Sequence, residues 1–301
     1  MTSAQLGDVT IEYELDGPED GEPMLLVMGL GAQLVAWPRD VVDGLADRGY
    51  RVVLMDNRDI GLSTKTDGPA PTRAALLKAF AHRRYAQSDY LLSDMAADAV
   101  ALLDHLELGA VHVVGVSMGG MIAQQLTIDH PDRVLSLCSI MSNTGNRRHG
   151  AVAPRLLPTM AASMTTPRPG APEEAVRQGV EGFRLIAGVH FDEEEIGVMV
   201  RQAVDRNVNP LGTIRQLLAI QASPDRTPGL REVRVPTLGV HGLVDQLVMP
   251  SGGIATARAV PGSKLVMVPD MAHDLPKPRR AEIVDEIVRN AERVRAGSGA
   301  R

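Results

Sequence analysis

Apolar residues run along this chain in two rhythms. In Val9-Thr10-Ile11-Glu12-Tyr13-Glu14-Leu15 they alternate with polar ones, the period of a strand with one solvated face. Met24-Leu25-Leu26-Val27-Met28 is instead an unbroken apolar run, which suits a strand covered on both faces. Similar runs at 50–55, 111–115, 133–140, 235–240 and 265–268 predict further buried strands. Between them the spacing turns helical. The stretch 93–106 places Met95, Ala96, Val100, Leu102 and Leu103 at helical spacing, with Asp94 and Asp98 early, where the helix dipole favours acids. Helices are likewise predicted over 38–47, from just after Ser117 to about His130, over 254–259 and over 279–294.

Strands that alternate with helices predict an α/β fold with a mostly parallel sheet covered on both faces. The rhythm breaks at residues 143–231, where no buried strand is legible. That segment holds a Pro- and Met-rich stretch and three helical pieces, near 173–185, 193–207 and 209–221. The expected division is a core of residues 1–142 and 232–301, with 143–231 as a helical cap inserted between two sheet strands. No internal repeat or low-complexity tract stands out.

Composition narrows the function classes. The 301 residues are 44% hydrophobic and 23% charged, the balance of a globular protein. The net charge of −6 and the scattered basic residues argue against nucleic acid as a partner. A single cysteine, Cys138, allows neither an intrachain disulfide nor a cysteine-based zinc site. It sits in an apolar run and reads as a small core residue. No His/Asp/Glu set has ligand-like spacing and no phosphate loop or dinucleotide fingerprint occurs, so neither metal nor cofactor is expected. No signal-peptide pattern is visible and no run of ~18 apolar residues offers a transmembrane helix. A cytoplasmic location is the default expectation. A homodimer is compatible with the sequence, and nothing in it requires one.

The candidate chemistry centres on Gly115-Val116-Ser117-Met118-Gly119, a G-x-S-x-G motif between a predicted strand and a predicted helix. A sharp turn there would strain the serine backbone, leave no room for side chains at the flanking glycines, and expose the hydroxyl at the carboxyl end of the sheet. An ordinary strand-to-helix turn is the alternative. A serine hydroxyl needs an adjacent base. Of eight histidines, His273 follows the strand 265–268 through a short loop at that same sheet end. His241, which ends a strand, is the lesser candidate. The base needs an orienting carboxylate, and Asp245 lies just beyond the strand 235–240. Asp270 and Asp274, nearer His273 in sequence, read as loop or capping acids. The tetrahedral intermediate needs backbone donors. Met118, after the serine, should supply one N–H. Leu30, between Gly29 and Gly31, should supply the other, the glycines letting the backbone approach the substrate.

These residues resemble the α/β-hydrolase superfamily over nearly the whole chain, which implies an eight-stranded, mostly parallel sheet. Residues 25–31 look like its oxyanion strand and loop. Asp56-Asn57-Arg58-Asp59-Ile60-Gly61-Leu62-Ser63 resembles its D-x-R-G-x-G-x-S segment, with Asp59 where Gly is usual. Arg58 and Asp59 read as a structural polar turn. Met28-Gly29 with Trp37-Pro38, and Asp94-Met95-Ala96-Ala97-Asp98, are similar to the aclacinomycin methylesterase group, which uses a helical cap and cleaves a methyl ester on a polyketide. The resemblance implies a serine esterase acting on a small-molecule ester. Haloalkane dehalogenases and epoxide hydrolases need Asp at the elbow, and Ser117 excludes them. Thioester and lactone hydrolysis and cofactor-free perhydrolysis stay open, as does non-catalytic binding of a small molecule. In the insertion, Met160 and Phe183 are candidate substrate contacts and suggest an apolar substrate. The same residues could equally form the core of the cap.

Overall fold

The computed structural model describes residues 2–159 and 171–298. Met160 lies outside the described residues. The chain forms an eight-stranded sheet in the order β1-β2-β4-β3-β5-β6-β7-β8. The strands are β1 Thr2–Leu6, β2 Val9–Asp16, β3 Glu22–Val27, β4 Tyr50–Met55, β5 Val111–Val116, β6 Val134–Ile140, β7 Thr237–Gly242 and β8 Lys264–Val268. The β1–β2 and β2–β4 pairings are antiparallel, and every other pairing is parallel.

The unbroken apolar runs are explained by the helices on both faces. Successive side chains of a strand point to opposite sides. Leu25 and Val27 of β3, with Val113 of β5, pack against α3 Leu92–His105 and α4 Met118–Asp129, through Leu102, Leu103, Ile122 and Leu126. Met24 and Leu26, with Val114 and Val116, pack the other way, against α1 Arg39–Ala46. The C-terminal helix shares that face through Ile283, Val284 and Ile287. Each face thus has its own dry layer, and no polar alternation remains to be read from these strands. Cys138 of β6 is buried in the second layer, and burial pushes its thiol above the ordinary range.

Three elements are absent from the sequence expectations, one of them the four-residue helix Thr227–Leu230. β1 is an edge strand whose Thr2, Ser3 and Gln5 are exposed, and it pairs antiparallel with β2. Among its described side chains α2 Arg73–Ala81 buries Leu76 and Ala79, too narrow a stripe to mark a helix. Between β6 and β7 the described residues form α5 Pro172–Ile186, α6 Glu193–Arg206, α7 Pro210–Ala222 and the short α8 Thr227–Leu230. Leu218 of α7 packs on Leu76 and Ala79 of α2. Part of the insert's apolar character is therefore spent on docking to the core. α9 Ser251–Ala259 and α10 Arg280–Ser298 complete the chain.

Sheet order sets where a site can form. β3 and β5 are neighbours, with Val27 opposite Gly115, while the chain runs outward in opposite directions on either side of them. Open α/β sheets bind ligands at such a switch point, outside the carboxyl ends of the strands. The loop after β3 and the turn after β5 therefore emerge side by side.

Leu102 is fully buried in the α3–α4 layer. Leu102→Ala should cost about 2–5 kcal/mol of stability, read as a lower urea midpoint at unchanged slope.

Candidate active site

Ser117 sits between β5 and α4 with φ 56° and ψ −116°, in the left-handed half of backbone space that non-glycine residues rarely occupy. The turn is held there by its neighbours. Ser117 N–H donates to Ile140 O at 2.9 Å, and Ser142 Oγ donates to Ser117 O at 2.8 Å. Tight packing explains the flanking glycines. A Cβ on Gly115 would lie 2.1 Å from Gly119 O, and one on Gly119 would lie 2.0 Å from Val27 O. Met118 begins α4. As the first residue of the helix, its N–H has no intrahelical acceptor.

Asp245 and His273 follow β7 and β8. His273 Nε2 is 3.0 Å from Ser117 Oγ, and His273 Nδ1 is 2.8 Å from Asp245 Oδ2. The other carboxylate oxygen, Oδ1, accepts the N–H groups of Leu247 and Val248, each at 2.9 Å. Asp245 is 2% exposed and His273 8%. The buried carboxylate is thus oriented by two backbone donors, which leaves its second oxygen for the imidazole. His273 N–H donates to Ile186 O at the end of α5, so the insert also holds the histidine backbone.

Asp274 and Asp270, near the histidine, are engaged elsewhere, whereas His241 Nε2 lies 3.5 Å from Asp245 Oδ2. Asp274 accepts from Ala272 N–H and Gly188 N–H, and burial raises its carboxyl above the usual range. Asp270 is bound by Arg279 and His190; the guanidinium, then the imidazole, holds its carboxyl well below the usual range. His241 is fully buried inside β7, with Nε2 2.8 Å from Val248 O. That bond sets Nε2 as the donor, and Nδ1 has no partner among the described residues. A Cβ on Gly253 would lie 2.5 Å from Nδ1, so this nitrogen faces packed chain.

The loop after β3 runs against the elbow. A Cβ on Gly29 would lie 3.2 Å from Ser117 Cβ. Ala32 N–H donates to Gly29 O at 3.2 Å, closing a turn over Leu30 and Gly31, and Gly31 has φ 71°. Among the described residues no backbone carbonyl outside regular structure accepts Leu30 N–H. Gly31 faces the insert: its N–H donates to Gln216 Oε1 at 2.9 Å. Phe183, half-buried on α5, lies one turn before Ile186. Asp59, at φ 72°, is buried and accepts from Thr66 N–H and Tyr90 Oη–H, while Arg58 pairs with Asp98. Ser117, Asp245, His273, Gly29 and the Met118 backbone therefore converge at one sheet end. The polar side chains Gln33, Arg206 and Gln216, which the sequence reading passes over, buttress the loop from outside. Their signal is faint: Arg215 and Gln216 are polar positions inside the apolar run Ile214 to Ile220. Among the described residues no group of three or more His, Cys, Asp or Glu could hold a metal ion, and no helix is long and apolar enough to cross a membrane.

A family model for the alpha/beta hydrolase fold matches residues 22–277, and the chain belongs to that family. It is similar to the rhodomycin D methylesterases of Streptomyces sp. (strain C5) and Streptomyces peucetius, each 27% identical over 290 residues, covering 89% of this chain and 90% of the relative. Among solved structures it is similar to an enol-lactonase from Burkholderia xenovorans LB400, with a TM-score of 0.74 and 20% identity over 96% of this chain and 99% of that one. At that identity the likeness speaks to fold alone.

His241 generates a pH prediction. Burial, the largest influence, lowers its imidazole below the ordinary histidine value. Below that value the unfolded chain takes up a proton that the folded chain refuses, so stability falls as pH falls. His241→Gln, which keeps a donor for Val248 O, should flatten the acid-side decline by up to about 1.4 kcal/mol per pH unit. Urea midpoints between pH 7.5 and 5.5 check this; an unchanged slope would contradict it.

Proposed function

We propose that this protein is a serine esterase that cleaves a small, largely apolar carboxylic ester through an acyl-enzyme on Ser117. The observation that carries the reading is the continuous chain of contacts from Ser117 Oγ through His273 to Asp245. His273 Nε2 takes the hydroxyl proton as Oγ attacks the ester carbonyl. Asp245 holds the ring in the tautomer with its proton on Nδ1 and stabilises the imidazolium that forms. The N–H groups of Leu30 and Met118 bind the oxyanion, and the α4 N-terminus adds its dipole. The alcohol leaves with the proton held by His273. Water then attacks the acyl group with His273 again as base, releasing the acid and restoring Ser117.

Residues 143–231 act as a cap over this centre, with Phe183 as a candidate contact for the acyl or ring portion of the substrate. The full-length similarity to two methylesterases supports an ester, and a methyl or other small alkyl leaving group, as the substrate class.

A fluorophosphonate probe should label the wild type at Ser117 and leave Ser117→Ala unlabelled. His273→Ala should lower turnover of a p-nitrophenyl ester by at least ~10³-fold, as removal of a triad member does generally. Equal labelling of Ser117→Ala, or near-normal turnover by His273→Ala, would refute the assignment.

A further inference from the structure

Gln216 lies on α7, far from the serine in sequence, and is fully buried. Both ends of its amide are used. Oε1 accepts Gly31 N–H at 2.9 Å, and Nε2 donates to Arg58 O at 2.9 Å. A buried amide satisfied at both ends is costly to displace, so it acts as a fixed post between two loops of the core. The turn it holds spans Gly29 to Ala32, and Gly31 is its third residue. A positive φ at that position is the mark of a type II turn. In such a turn the Leu30–Gly31 peptide is the central unit, and it rotates readily unless one side is tethered. Gln216 tethers the N–H side.

The rest of the loop is fixed by independent means. The Arg206 side chain, 8% exposed, pairs with the fully buried Asp56 at 3.0 Å, and Asp56 Oδ1 accepts Leu34 N–H at 2.7 Å. Gln33 Nε2 donates to Ala203 O at 2.8 Å, and Arg206 donates to Gln33 Oε1 at 2.6 Å. Loss of Gln216 would therefore leave the loop docked from Gln33 onward. What it frees is the short turn that carries Leu30.

We propose that Gln216 is a positioning residue for the oxyanion-binding turn, so that the insert completes the active site by holding Gly31 N–H. This rests on the serine-esterase reading, in which Leu30 N–H binds the oxyanion. The post acts on the transition state rather than on the resting ester, because the oxyanion forms only after attack. Its signature is a fall in kcat without a matching change in KM.

The test measures ester turnover per active site, titrated with a fluorophosphonate, so that unfolded protein is not counted. Gln216→Met keeps the bulk and removes both hydrogen bonds. Its kcat should fall by ~10–100-fold, somewhat less than direct loss of an oxyanion donor, with KM within ~3-fold of wild type. The pH at which activity half-declines on the acid side should not move, since His273 and Asp245 are untouched. Gln216→Glu, which still offers an oxygen to Gly31 N–H, should recover most of the lost kcat. Wild-type kcat in Gln216→Met would overturn the proposal. So would a shifted acid limb, or a Glu variant as impaired as the Met variant. Absence of wild-type turnover and of Ser117 labelling would instead refute the esterase reading itself, and this inference with it.

Discussion

The geometry of the candidate site depends on backbone packing at the turn after β5, where no side chain fits. A Cβ at Gly115 or Gly119 would fall 2.0–2.1 Å from a backbone oxygen, well inside contact distance. Only with both positions bare can α4 press against the end of β3 and force Ser117 into a positive φ. That conformation costs of order 1–3 kcal/mol, offset by the hydrogen bonds from Ser117 N–H to Ile140 and from Ser142 to Ser117 O. The strain points the hydroxyl away from the sheet and toward the imidazole. Gly29, in contact with Ser117 from the neighbouring strand, extends the same close packing to the loop after β3.

The insert enters this geometry at several places. Ile186 O accepts His273 N–H, and Gln216 holds Gly31. Arg206 adds a buried charge pair with Asp56, whose carboxylate also anchors the loop backbone. A buried ion pair contributes little net stability against its desolvation cost, yet losing one partner is expensive. Its effect here is to make the docked position of α6 specific. A segment that reads in sequence as a separate cap is thus mechanically joined to the loops carrying the candidate base and one candidate oxyanion donor.

Much of this was legible because the chemistry and the sheet share one pattern. Runs such as 24–28 and 111–115 are apolar at every position since both faces are covered, and the motif around Ser117 falls between such a run and a helix. Asp245 and His273 could be assigned because each follows a strand at the same sheet end. The missed elements are those whose stability comes from elsewhere. β1 is held by pairing with β2 rather than by an apolar face of its own. α2 buries little beyond Leu76 and Ala79, which Leu218 of the insert covers. The loop-holding residues Gln33, Arg206 and Gln216 look in sequence like any polar position on a helix or loop, and their roles arise only from contacts across 150 residues or more.

The most direct test of the central claim is to trap the covalent intermediate. Wild-type protein mixed with a p-nitrophenyl ester is quenched in acid within the first turnovers, digested, and mapped by mass spectrometry. The expected result is the acyl mass on the peptide containing Ser117, formed with a burst of p-nitrophenol no larger than one per protein chain. Turnover with no acylated peptide, or with the acyl group on another residue, would contradict the account.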